Sequence, residues 1–169
     1  MKTLLTRSIT SAIVSAILAS FVGAQTLNAD EKKIVDYIDK NNVAAVSLLE
    51  KTVNMGSPTE DLVGVKNLGL VFGKEFESLG LSIKWIDMPA EMKRAGHLVA
   101  ETKGTNGKRI LLLGHIDTVL RGELFRIEGK KAYGTGVGDM MGGNVIILQA
   151  LKALQAAGVL KDRQIIVML

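Results

Sequence analysis

The sequence predicts an α/β fold: a mixed, largely parallel sheet flanked by helices. Three observations predict it. Two short apolar runs, Ile110-Leu-Leu-Leu113 and Gln164-Ile-Ile-Val-Met-Leu169, have the length and branched composition of strands buried on both faces. Residues 142–157, between them, keep helical spacing. Ahead of them lie two helical stretches and two strands, so the order is helix, helix, strand, strand, strand, hairpin, helix, strand.

The first residues differ in kind from the rest. Lys2 and Arg7 form a positive start, residues 9–22 are mostly apolar and uncharged, and Val22-Gly-Ala24 is a small-residue cleavage site. That is the pattern of a secretory signal peptide over residues 1–24. Its apolar core falls short of the ~20 residues that a membrane span needs. The mature chain is then residues 25–169, periplasmic or secreted, with no membrane contact once the leader is cut. Lys2 and Arg7 are the only charges in the leader, so its removal takes the formal charge from +4 to +2. Nothing in that balance argues for nucleic-acid binding. At 47% hydrophobic and 22% charged the chain reads as globular. It has no cysteine, hence no disulfide framework and no thiol chemistry. A metal site would have to use His, Asp and Glu.

Asp30-Glu31 opens an amphipathic helix with Ile34, Ile38, Ala45, Leu48, Leu49 and Val53 on one side. Asn41-Asn42 weaken its middle, which predicts a kink or two helices, and Gly56 ends it. Ser57-Pro-Thr-Glu60 reads as a capping box with proline at the first helical position. Val63, Leu70, Phe72, Phe76 and Leu79 carry that second helix to Gly80. Residues 81–86 alternate as a half-buried strand, with Leu81, Ile83 and Trp85 on one face. Residues 97–102 form another strand. Thr105-Asn-Gly107 is a tight turn that predicts a hairpin between it and the 109–113 strand. Residues 124–127 and 131–133 flank a Glu128-Gly129 turn as a second hairpin. The helix over 142–157 turns Ile146, Ile147, Ala150, Leu151 and Leu154 inward and stops at Gly158. Residues 163–169 form the last buried strand.

Chemistry gathers at two places. Gly114 breaks the 110–113 run, and His115 and Asp117 follow at once, where open α/β sheets place their ligands. About twenty residues on lies Gly134-Thr-Gly-Val-Gly-Asp-Met-Met-Gly-Gly143, a glycine-rich loop with one acid, Asp139. A phosphate-binding reading fails, because the third glycine of G-x-G-x-x-G falls at Asp139 and a carboxylate there repels a pyrophosphate. A carboxylate suits a cation instead. His115 and Asp139 are therefore the candidate metal ligands. Asp117 is placed to hold the other ring nitrogen of His115, as carboxylates do for metal-bound imidazoles. His97, inside a strand with no acid at ligand spacing, is structural.

The segments Gly114-His-Ile-Asp-Thr-Val119 and Tyr133-Gly-Thr-Gly-Val-Gly-Asp-Met-Met-Gly-Gly143 resemble the two metal motifs of a bacterial co-catalytic zinc exopeptidase family. That family contains glutamate carboxypeptidase, acetylornithine deacetylase and succinyl-diaminopimelate desuccinylase. The run Phe125-Arg-Ile-Glu-Gly-Lys-Lys-Ala-Tyr133 and the helix from Gly143 are closest to the glutamate carboxypeptidase branch. The resemblance implies a Zn2+-dependent hydrolase with two zincs per complete site, acting on a small peptide or N-acyl amino acid. It makes His115 a ligand of one zinc and Asp139 the bridge between both. Asp117 is then the catalytic-site residue that orients His115. It implies a cis peptide after Asp139. It also implies that residues 25–169 are the N-terminal part of the catalytic metallopeptidase domain. The paired glutamates, the remaining ligands and a dimerising lid domain are expected beyond Leu169, so this chain alone is expected to be inactive. A truncated, non-catalytic product that at most binds metal is the alternative. Where the family usually has lysine two residues after the bridging aspartate, this chain has Met141, so a positive charge beside the site is expected to be missing.

Cleavage is expected between Ala24 and Gln25. N-terminal sequencing of the exported protein should begin at Gln25, and a soluble periplasmic product that keeps its leader would contradict this.

Overall fold

The computed structural model describes residues 26–169, so the leader and its cleavage site lie outside the described residues. The first helix, α1 (Ala29–Met55), is a single unbroken helix. Asn28 caps it by accepting from the Asp30 and Glu31 amides at 2.9 and 3.0 Å, and the Glu31 carboxylate takes the Asn28 amide at 2.7 Å. Three backbone donors are satisfied at once. The expected break at Asn41-Asn42 does not occur. The Asn41 amide turns back to the Tyr37 carbonyl at 2.8 Å, so its side chain stays within the helix's own ladder instead of competing with it.

The second helix, α2 (Leu62–Ser78), starts later than the sequence predicts. Asp61 is its N-cap, accepting from the Gly64 amide at 2.9 Å. Ser57 to Glu60 does not form a capping box, because its backbone is already engaged elsewhere. The Thr118 amide donates to Ser57 O at 2.8 Å, and the Thr59 amide donates to Thr118 O at 3.0 Å. Pro58 and Thr118 thus form an isolated parallel bridge. The inward face of α2 is Val65, Leu68, Phe72 and Phe76, while Val63 and Leu70 face solvent.

The main sheet has the order β1 (Ser82–Ile86), β2 (His97–Glu101), β6 (Arg163–Met168), β3 (Asn106–Leu113). β2 runs antiparallel to both its neighbours, and β3 is parallel to β6. The expected hairpin between residues 97–102 and 109–113 therefore does not form: β6 lies between the two strands. The Thr102 amide bonds Ile165 O and the Asn106 amide bonds Asp162 O, so residues 103–105 step across the start of β6. On β6 one face is buried, with Ile165 and Val167 at 4% and 1% exposure, while Ile166 and Met168 on the other face are half-buried. Burial on both faces does not hold for β3, an edge strand whose Ile110, Leu111 and Leu113 are 50%, 55% and 61% exposed. Of the alternating residues on β1, Leu81 just before it is buried, Trp85 is half-buried and Ile83 is at the surface. The short hairpin of β4 (Arg126–Glu128) and β5 (Lys131–Tyr133) forms as expected.

The third helix, α3 (Gly142–Ala156), links that hairpin to β6. It buries Asn144, Val145, Leu148 and Leu151, whereas Ile146 and Ala150 point outward. Of the expected inward residues, Leu151 is buried and Ile147 and Leu154 pack half-buried against the core. One core joins the three helices to the sheet, with Leu68, Phe72, Phe76, Leu98, Leu148 and Val167 at its centre. Met141 belongs to that core at 1% exposure. The methionine thus fills a packing position beneath the loop that carries Asp139. Met141→Lys should lower stability by about 2–3 kcal/mol, because an ammonium buried without a partner is costly. Urea denaturation measures the change, and an unaltered midpoint would contradict the placement.

Candidate metal centre

Strand β3 ends where its last ladder bond, Gly114 amide to Met168 O at 2.9 Å, is made. The chain then leaves the sheet and delivers His115 at the carboxyl edge of β3. Gly114 is required by close approach: a Cβ there would collide with Asn144 Oδ1 and come within 2.8 Å of Leu169 Cδ2. Asn144 stands behind the turn. It is fully buried, its Nδ2 donates to the His115 carbonyl at 2.6 Å, and its Oδ1 accepts no hydrogen bond among the described residues.

The second loop approaches from the other side. The β4–β5 hairpin leads into Gly134 and Gly136, and Gly136 has φ +77° with Thr118 Cγ2 only 2.6 Å from where its Cβ would be. A side chain at Gly136 would be both strained and in collision. The turn Val137–Met141 follows, and its Asp139–Met140 peptide is cis, as the resemblance implies.

These two loops bring His115 and Asp139 together. His115 Nε2 lies 2.8 Å from Asp139 Oδ1, across an open pocket lined by Asp117, Thr118, Val119, Gly136 and Gly138. Asp117 comes to the same place with a difference in detail. Its backbone carbonyl, at 2.9 Å, is the closest partner of His115 Nδ1, and its carboxylate Oδ1 stands at 3.5 Å. A carbonyl only accepts, so Nδ1 carries the proton and Nε2 is the nitrogen turned to the pocket. Partial burial pushes the His115 pKa down. The hydrogen bond to Asp139, the Asp117 carbonyl and the charges of both carboxylates outweigh it and hold the pKa above the ordinary histidine value. His97, half-buried at the start of β2, takes no part in this pair.

An imidazole nitrogen and a carboxylate oxygen facing one pocket are donor types that suit a divalent metal ion, and at 2.8 Å they meet here as hydrogen-bond partners. Among the described residues, no group of three His, Asp or Glu side chains forms a complete cage. A roomier concavity lined by Leu79, Thr102, Lys103 and Leu160 sits at the opposite edge of the sheet, away from the pair. Asn144 and Thr59 are the residues that sequence reasoning passed over. A polar residue on the inward stripe of α3, between Gly143 and buried Val145, was the available signal for Asn144.

Residues 111–169 match the family model described as Peptidase family M20/M25/M40. Carboxypeptidase G2 from Pseudomonas sp. (strain RS-16) is 36% identical over 164 residues, covering 90% of this chain and 38% of that protein. Human carnosine dipeptidase 1 superposes with a TM-score of 0.70 at 20% identity, over 81% of this chain and 33% of that one. The di-peptidase Dug1p from Saccharomyces cerevisiae gives 0.68 at 17% identity over the same shares. The two superpositions establish the fold. The chain spans well under half the length of these relatives. Over residues 111–169 the chain is similar to the M20/M25/M40 peptidases, and over most of its length to Carboxypeptidase G2.

Gly114→Ala should cost about 1–3 kcal/mol, the range of overpacking in a closed site, and should displace His115. Gly138→Ala, which meets nothing within 4 Å, should be nearly neutral. Paired urea titrations separate the two, and equal midpoints would contradict the close approach at Gly114.

Proposed function

We propose that this chain forms part of the catalytic domain of an exported, zinc-dependent exopeptidase. Its substrate is a small peptide or N-acyl amino acid, from which it releases a C-terminal residue such as glutamate or removes the acyl group. The observation that carries this reading is the 2.8 Å pairing of His115 Nε2 with Asp139 Oδ1 from two separate loops. His115 would hold one zinc through Nε2, and Asp139, with two oxygens and 88% of its side chain exposed, would bridge two. A zinc pair, once bound, supplies a water of lowered pKa and polarises the scissile carbonyl. Asp117 keeps the proton on Nδ1, so that Nε2 is the nitrogen free to bind. The family resemblance supports metal dependence in general, and an imidazole with a carboxylate is a donor pair that zinc takes, as do other divalent metals. Complete relatives of this type would dimerise through a lid domain. The leader-like pattern of residues 1–24 supports a periplasmic or secreted location.

A catalytic zinc takes three protein ligands plus water, and this chain offers two, His115 and Asp139. It should therefore bind zinc weakly and hydrolyse no N-acyl glutamate above buffer by itself. Joined after Leu169 to the remaining part of Carboxypeptidase G2, it should gain zinc-dependent hydrolysis that His115→Ala abolishes. A folded chimera without activity would overturn the reading, whereas turnover by the isolated chain that His115→Ala removes would overturn only its expected inactivity.

A further inference from the structure

Residues 57–60, between α1 and the Asp61 cap of α2, do not cap a helix, which leaves the Thr59 side chain free for another use. The Thr59 hydroxyl lies 2.8 Å from Asp117 Oδ2, a contact across 58 residues of sequence. Thr118 O, at 3.2 Å, is the other acceptor in reach. One hydroxyl carries one proton, and the nearer, charged oxygen takes it. The opposite oxygen of the same carboxylate faces His115 Nδ1 at 3.5 Å. Thr59 thus sets the rotation of the group that stands beside the ring.

The hydroxyl is held ready by the backbone around it. Thr118 donates to Ser57 O and Thr59 donates to Thr118 O, which ties residues 57–59 rung by rung to the loop that carries Asp117. Arg121 adds a bond to Glu60 at 3.2 Å. Thr59 is β-branched and stiff about χ1, so little side-chain freedom is lost in making the contact. The Asp117 side chain is 36% exposed. Without the hydroxyl its carboxylate is free to swing to solvent or toward Nδ1, and it no longer stands fixed beside the ring.

We propose that Thr59 is a positioning residue for the metal-binding face of His115, acting through the Asp117 carboxylate. This rests on the reading of His115 as a zinc ligand. Outer partners of metal-bound histidines typically change affinity by ~10–100-fold when lost, and Thr59 stands one bond further out, so the lower end applies.

The test uses the full chain with Thr59→Val, which keeps the shape and removes the donor, and Thr59→Ser, which restores it. Zinc affinity is measured by competition with a chromophoric chelator at one fixed pH. The His115 Cε1–H resonance is recorded without metal in the same buffer. Urea denaturation of the metal-free proteins checks folding, and Thr59→Ala replaces Thr59→Val should that variant not fold. Thr59→Val should bind zinc about tenfold more weakly and Thr59→Ser within about threefold of wild type. The His115 resonance should shift and broaden in Thr59→Val alone. Thr59→Val binding within twofold of wild type, or Thr59→Ser as weak as Thr59→Val, would overturn the proposal. Wild-type protein that binds no zinc would sink the proposed function instead. The metal-free spectra then decide the positioning role: a His115 signal unmoved by Thr59→Val refutes it, and a moved one upholds it.

Discussion

The parallel pairing of β3 with β6 is the constraint on which the site depends. It runs as far as the bond from the Gly114 amide to Met168 O, and the point where it stops is the point where His115 can leave the sheet. Parallel strands leave their carboxyl ends facing the same side, where connecting loops are free to carry chemistry. Everything near His115 then follows as support. Asn144 on α3 grips its carbonyl from beneath, and the 57–59 segment grips the next residues from the side.

How far the sequence reveals this fold depends on the range of the interaction concerned. The helices, the β4–β5 hairpin and the His115/Asp139 pairing were legible, since each is announced by local spacing or by two short motifs. The hairpin between β2 and β3 was misread because Thr105-Asn-Gly107 is sound turn chemistry, yet β6, more than fifty residues later, supplies a better partner for both strands. The capping box at Ser57 to Glu60 was misread for the same reason: Thr118 takes its backbone. Asp61 then caps α2 in its stead. On α2 and α3 the apolar residues outnumber the buried ones, so periodicity alone left two stripes open. Burial of Val145 and exposure of Ile146 reflect which stripe meets α1 and the core.

Met141 illustrates a different limit. Read against a motif, the residue looks like a lost charge beside a metal. Read in the fold, it is a core side chain at 1% exposure, and its environment favours methionine, a flexible apolar filler. A motif lists residue types without saying which way each one points. In the turn Val137–Met141, Asp139 is at the surface and Met141 is inside.

The His115–Asp139 contact also sets two demands against one another. With Nδ1 donating to the Asp117 carbonyl, a hydrogen bond from Nε2 to Asp139 requires the doubly protonated ring, which is why the pKa is held above its ordinary value. The raised value means that this pairing favours the folded state fully below the unfolded histidine pKa. That contribution fades as pH rises through the folded one. Metal binding runs the other way, since Nε2 must first give up that proton. A metal ion bound to the pair would take over, as pH rises through the folded pKa, the bridging role that a proton fills below it. Both carboxylates near the ring favour whichever positive species is there, so the same arrangement is stable with a proton and ready to exchange it for a metal.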